Sequence, residues 1–455
     1  MEAVNLTACD SARDATVRRL FKFSGLTLAF LLAVHGAAAK ERREAARAEE
    51  SLSLPVQKSL GDLPNGPKAE LRRFGIDADI WVTQFFQGVA AGANDGVSRY
   101  GGKLDAFLKI DAEKLGLWRG LRVNAQYEHY IGLNINQKDY ALVPVSAAQA
   151  FVAQDNYHSA LSLVVTQQMS NQLSVSVGKF NTMTLAAQTP LIGGGGLDTF
   201  MNRAFALPST GIGVASPGTV ADRLIVSPPY ILGGIATLKT DVATFTLAFA
   251  DPRNAANPRV LERPFERGVG VVGGVTVPTQ IAGLRGFHTI RGGYSNARGF
   301  DLDDIGALRA RLASLVGVTR KGFWLASYAV QQYLVQSADN PAAGWGLFAL
   351  ATLSDGNPNP VRWSALAGFA GNNLLPGRVN DQWGVGFFHY GLTAPLLSGL
   401  AERGLYRRSE GGIEAFYNWA ITPWLRLTGD LQIVEPWTVN RPRATYMALR
   451  LQTRF

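Results

Sequence analysis

The sequence is short of several things, and each shortage removes a class of protein. Beyond residue 40 there is no apolar run of the roughly 18 residues that a membrane-spanning helix needs, and the mean hydropathy is only +0.04. A helical membrane bundle is excluded. Charged residues are 17% of the chain, too few for a helix-rich globular protein with Lys- and Glu-covered surfaces. There is one cysteine, Cys9, and it lies in a segment expected to be removed. No disulfide framework and no cysteine-based metal site can then form. Histidine is scarce: His129, His158, His288 and His389 lie outside the leader, without the spacing of metal ligands. GxSxG is absent and nothing marks a Ser/His pair, so no catalytic residue, cofactor or metal is expected. A membrane-barrel enzyme with scattered partners remains an alternative.

The N-terminus has the three parts of a secretory leader. Arg13, Arg18, Arg19 and Lys22 supply positive charge, Phe23 to Val34 an apolar core, and Ala37–Ala39 a small-residue cleavage site. A signal peptide over 1–39 is expected. Residues 40–73 are charged and then rich in Pro and Gly, and read as a periplasmic segment, helical or disordered. The formal net charge of +9 includes no dense Lys/Arg run, so nucleic acid is not an expected partner, whereas a pore lined by cations is one reading.

From Phe74 to Phe455 the hydrophobic period becomes two. Leu104, Ala106, Leu108 and Ile110 share one face, and Lys103, Asp105, Phe107, Lys109 and Asp111 the other. Arg122, Asn124, Gln126 and Glu128 alternate with Leu121, Val123, Ala125 and Tyr127, and Arg426, Thr428, Asp430 and Gln432 with Leu425, Leu427, Leu431 and Ile433. Such alternation marks strands with one apolar and one wet face. Fifteen strands are visible. A single-chain barrel with both ends in the periplasm needs an even number, and the Val/Gly-rich stretch Val269–Val277, expected to turn near Pro278, supplies the sixteenth.

Tight connections near Ser170, Thr240, Pro278 and Ile421 would be periplasmic. Long ones at 133–158, 181–227, 251–267, 295–320 and 391–409 would be extracellular. The predicted fold is an all-β transmembrane antiparallel barrel over 74–455, in a bacterial outer membrane, with a soluble β-sandwich as the alternative. The final strand alternates Leu449, Leu451 and Phe455 against Arg450, Gln452 and Arg454. Its terminal Phe455 resembles the signal read by barrel assembly machinery.

A sixteen-strand barrel encloses an aqueous channel. The inward side chains mix both charge signs with amides, which suits neutral hydroxyl-rich solutes because sugar hydroxyls both donate and accept. The net charge leaves a general or weakly anion-preferring pore open. Within 181–227, Gly193–Gly196 followed by Asp198, Phe200, Met201, Asn202 and Arg203 is the strongest candidate for a loop folded inward. A plain exposed loop is the other reading.

Four blocks carry a family resemblance: GKLDAFLKIDAEKLGLWRG (102–120), WGLFALATLSDGNPNPVRW (345–363), LPGRVNDQWGVGFFHYG (375–391) and EAFYNWAITPWLRLTGDLQIVEP (414–436). With the closing ALRLQTRF, the chain resembles the carbohydrate-selective porins of the OprB family; residues 181–320 do not contribute to the likeness. The resemblance implies passive diffusion of sugars through an Arg/Glu-lined eyelet, in a monomer or homotrimer. It implies pore-lining roles for Lys109, Arg122, Glu128, Arg426 and Asp430, with Lys109 standing where an arginine would bond bidentately.

Overall fold

The computed structural model describes residues 57–136, 138, 140–150, 159–206, 230–252, 261, 263–304, 319–337, 340, 343–375 and 377–455. The expected leader, residues 40–56, His158 and residues 207–227 of the candidate loop lie outside the described residues.

Sixteen strands form one closed antiparallel sheet in which each pairs with its sequence neighbours and the first pairs with the last. They are β1 (Ile76–Ala91), β2 (Ser98–Asp111), β3 (Leu121–Gly132), β4 (Ser159–Gln168), β5 (Leu173–Asn181), β6 (Tyr230–Lys239), β7 (Thr244–Ala250) and β8 (Gly270–Ile281). The ring continues with β9 (Leu284–Phe300), β10 (Thr319–Gln336), β11 (Gly344–Ser354), β12 (Val361–Asn372), β13 (Gln382–Leu392), β14 (Glu410–Ala420), β15 (Leu425–Glu435) and β16 (Ala444–Arg454). Closure leaves no free edge, which a soluble sandwich would retain. The parity argument therefore gives the right number.

Alternation decides which side chains face out. On β15 and β16, Leu431, Ile433, Met447 and Leu449 are exposed, while Gln432 and Arg450, at the alternate positions, are buried. A soluble protein would do the reverse; here the exposed apolar band is the face that meets lipid.

One boundary differs from expectation. The β8–β9 turn is at Ala282–Gly283, and Pro278 lies inside β8 opposite Phe287. The reason is the shortness of β7, whose pairing with β8 ends at Thr276. Beyond that point β8 has one neighbour only, and an imide nitrogen is tolerated as on an edge strand.

The seam between β1 and β16 is extended by Phe455, whose N–H donates to Ile80 O at 2.7 Å and whose O accepts from Ile80 N–H at 3.0 Å. Residues 57–73 dock there. A short helix, α1 (Pro67–Arg73), starts with Pro at its first turn, where the missing N–H costs nothing. From it Lys68 Nζ donates to Asp79 Oδ1 at 2.5 Å, to Ser59 Oγ at 2.8 Å and to Phe455 O at 3.0 Å. One ammonium thus ties the first strand to the last residue.

Candidate functional site: the lumen and its inward strap

The β5–β6 loop turns into the barrel. Asn181 caps a one-turn helix, α2 (Thr182–Ala186), by accepting from Met183 N–H and Thr184 N–H. Gly193, Gly194, Gly195 and Gly196 then all adopt positive φ, at +63°, +148°, +76° and +71°. A Cβ on Gly194 would lie 2.6 Å from the Ala186 carbonyl. These are conformations that side chains rarely adopt, and they reverse the chain so that Leu197–Arg203 runs as a strap along the inner wall.

Polar side chains of β14–β16 hold that strap by its backbone. The Glu414 carboxylate, 0% exposed, accepts from Met201 N–H and from Asn202 N–H at 3.0 Å. Asn418 Nδ2 donates to Asp198 O at 2.7 Å, and Asn202 Nδ2 to Gln432 Oε1 at 3.0 Å. Arg450 donates to Gly196 O at 2.8 Å and Thr199 O at 2.9 Å. Arg454 grips both Asp198 oxygens, at 2.6 and 2.7 Å. Burial alone would push the Asp198 carboxyl up, but Arg454, Arg426 and Arg450 outweigh it and hold it below the usual carboxylate range.

A second loop joins the first. Leu142 N–H and Val143 N–H donate to Glu410 at 2.6 and 2.7 Å, Ala147 N–H to Met201 O at 2.8 Å, and Arg203 N–H to Pro144 O at 2.9 Å. Glu410, Glu414 and Asn418 stand four residues apart on one face of β14, about 13 Å per step. The two loops are therefore tied along almost the whole length of that strand.

Apolar packing completes the seal. Phe200 stacks on Phe205 at 4.4 Å between centroids and meets Phe416 edge-on at 4.8 Å. Gly384 and Gly386 on β13 make the space: a Cβ at either would come within 2.6 Å of Phe200 or Phe205 respectively. Phe348 on β11, Phe388 on β13 and Phe416 on β14 are thus buried beneath the strap's aromatic rings.

The residues singled out from sequence do not form one cluster. Lys109 is exposed on the inner face of β2, opposite Asp77 and Asn124. Arg122 is exposed at the start of β3, opposite Asp111 and Thr166. Glu128 is 2% exposed, paired with Lys103 and receiving the Tyr230 hydroxyl. Asp430 is 7% exposed and accepts from Gln432 Nε2 at 2.8 Å. Arg426 donates to Asn380 O at 3.1 Å. Two of the five present open cationic heads; the two acids are enclosed.

The strap residues Asp198–Arg203 were legible from the glycine run. Glu410 and Arg291 were not singled out. The signal for Glu410 is its four-residue spacing from Glu414 on one strand face. The signal for Arg291 is negative: β4 through β13 contain no aspartate or glutamate.

The model of the carbohydrate-selective porin, OprB family, matches residues 97–455. The chain belongs to that family. No curated protein matches the chain. Among solved structures, the high-pH structure of Pseudomonas putida OprB is similar with a TM-score of 0.70 at 17% identity, over 85% of this chain and 96% of that one. The low-pH structure of the same protein gives 0.50 at 14% identity, over 88% and 99%. These likenesses concern the fold. As a member of the OprB family, the chain is an outer-membrane porin through which sugars and other small hydrophilic solutes diffuse. Family and fold are those of channels rather than enzymes.

Proposed function

We propose that solute passes between the strap and the wall formed by β2–β10, with Lys109 and Arg122 lining the periplasmic part of the path. The observation that carries this reading is the anchoring of Leu197–Arg203 to Glu414, Asn418, Arg450 and Arg454, which commits the other side of the lumen to the loops. On this reading Glu128, Arg426 and Asp430 act through the wall. Glu128 neutralises Lys103, Arg426 lies beside the strap's Asp198, and Asp430 supports Gln432.

Hydroxyls dominate the open face. Thr166 Oγ1 and Ser176 Oγ lie 2.8 Å apart, and Thr276 Oγ1 and Thr289 Oγ1 3.0 Å apart. Each such pair exchanges hydrogen bonds readily with the donor–acceptor groups of a sugar. Liposome swelling tests the reading: glucose should enter faster than an amino acid of similar size, and removing Leu197–Arg203 should abolish that difference while raising conductance. Equal rates in the intact protein would remove the sugar preference and leave a general pore.

Two further assignments belong to the same reading. Residues 1–39 are a cleaved leader and 40–73 a periplasmic segment, tested by sequencing the N-terminus of the exported protein. Phe455 is the handle for barrel assembly, and its deletion should lower the amount inserted in the outer membrane.

A further inference from the structure

We propose that this porin favours anionic sugars, carboxylated monosaccharides such as uronates and aldonates, and that Arg291 receives the carboxylate as they pass. The inference rests on the passage assigned above and specifies what that passage prefers.

The argument begins with charge around the barrel. The strand carboxylates are confined to β1, β2, β3, β14 and β15. Most are committed: Asp79 to Lys68, Asp105 and Glu128 to Lys103, Glu410 and Glu414 to loop N–H groups, and Glu435 to Arg408. On the acid-free wall, strand alternation turns Lys239 and Arg291 inward. Their cross-strand neighbours are Thr244 for Lys239, and Gly274 and Ser327 for Arg291. None of these neighbours carries a charge. The strap adds Arg203, buried, with Nε and Nη2 lacking an acceptor among the described residues. Cations left uncompensated in a low-dielectric channel raise its positive potential and concentrate anions there.

Arg291 is the one placed to recognise rather than merely attract. It lies mid-way along β9, partly exposed, and among the described residues it makes no ion pair. Gly274 leaves a seat for its stem, since a Cβ there would meet Arg291 Cγ at 3.0 Å. Along the same cross-strand row stand Thr237, Thr246 and Ser327. A planar guanidinium pairs bidentately with a carboxylate, while the flanking hydroxyls suit the ring of the same molecule. A neutral sugar uses the hydroxyls only; a simple anion uses the arginine only. A sugar acid uses both.

Single-channel recording on the reconstituted full-length protein tests this, using glucuronate, glucose and acetate as blockers, with reversal potentials in a KCl gradient. Glucuronate should block at a concentration about tenfold below glucose or acetate, a gap Arg291→Gln should close, lowering the anion-to-cation permeability ratio about twofold. Arg291→Lys should keep the ion preference but lose most of the glucuronate block, because an ammonium lacks the fork. If glucuronate and glucose block the wild type equally, the inference fails and the sugar-pore reading stands. If glucuronate is preferred but Arg291→Gln leaves the preference intact, the assignment to Arg291 is overturned. If no solute permeates or blocks, the passage itself is misassigned.

Discussion

Two walls of this barrel do different work with the same backbone. The wall around the seam, β14 through β3, carries the strand carboxylates, and side chains there reach across hydrogen-bond distances to hold loops or neutralise neighbours. The wall from β4 to β10 carries hydroxyls, glycines and a few cations, with no acid in any strand. Both are strands of alternating polarity, and period alone would call both a solvated lining. The difference teaches that an inward charge in a barrel has two fates. Buried beneath a loop it is a fastener, and open to the channel it is part of the solute's environment.

Five substitutions sharpen that contrast. The largest effect should come from Glu414→Ala, which leaves two strap N–H groups buried without an acceptor. It should cost on the order of 3 kcal/mol, read from denaturant unfolding, and it should widen the channel in conductance. Next is Gly384→Ala, where the added methyl meets the Phe200 ring at 2.6 Å. Overpacking should cost about 1–3 kcal/mol and loosen the strap toward protease.

A smaller effect is set by pH. The Asp198 carboxyl is held below its ordinary range, so its pairing with Arg454 is fully present above an unfolded value of about 3.9 and is lost as pH falls through the lower folded value. Strap protection should persist at pH 5 and fade only in stronger acid. Asp198→Asn should remove that pH dependence. The smallest change in stability should come from Thr246→Asp on the acid-free wall, within about 0.5 kcal/mol. It should nonetheless shift the reversal potential toward cations. A comparable shift from Asp430→Asn on the seam wall would show that the enclosed acids also govern permeation.

Much of the barrel can be read from the sequence because period two is a local signal. Lys103 to Asp111 and Leu425 to Ile433 each show which face is wet without reference to anything distant. Pro278 misleads for the opposite reason. Whether a proline ends a strand depends on where the neighbouring strand stops, and β7 stops at Thr244 opposite Thr276. The strap was visible as four consecutive glycines before a polar–aromatic run. Its docking face was not, since Asp198 and Arg454 are 256 residues apart in sequence. Glu128 and Asp430 look like lumen acids in one dimension because alternation gives direction but not cover. Only the Tyr230 hydroxyl and the strap's side of β14–β15 reveal that both are roofed over.

The seam has a consequence for the order in which the molecule is made. Arg450 and Arg454, the lower fasteners of the strap, lie on the last strand, and that strand is fixed by pairing with β1 and by Lys68 at Phe455 O. Most of the strap exists in the growing chain some 250 residues before its fasteners do. It cannot be fully seated until the final strand has joined the first. An assembly intermediate with fifteen strands in place would therefore be open along its side, its strap engaged by Glu414, Asn418 and Gln432 but lacking Arg450 and Arg454. The final fastening of the strap and the closure of the wall are one event, so the lock on the channel's inner loop is also the lock on the barrel.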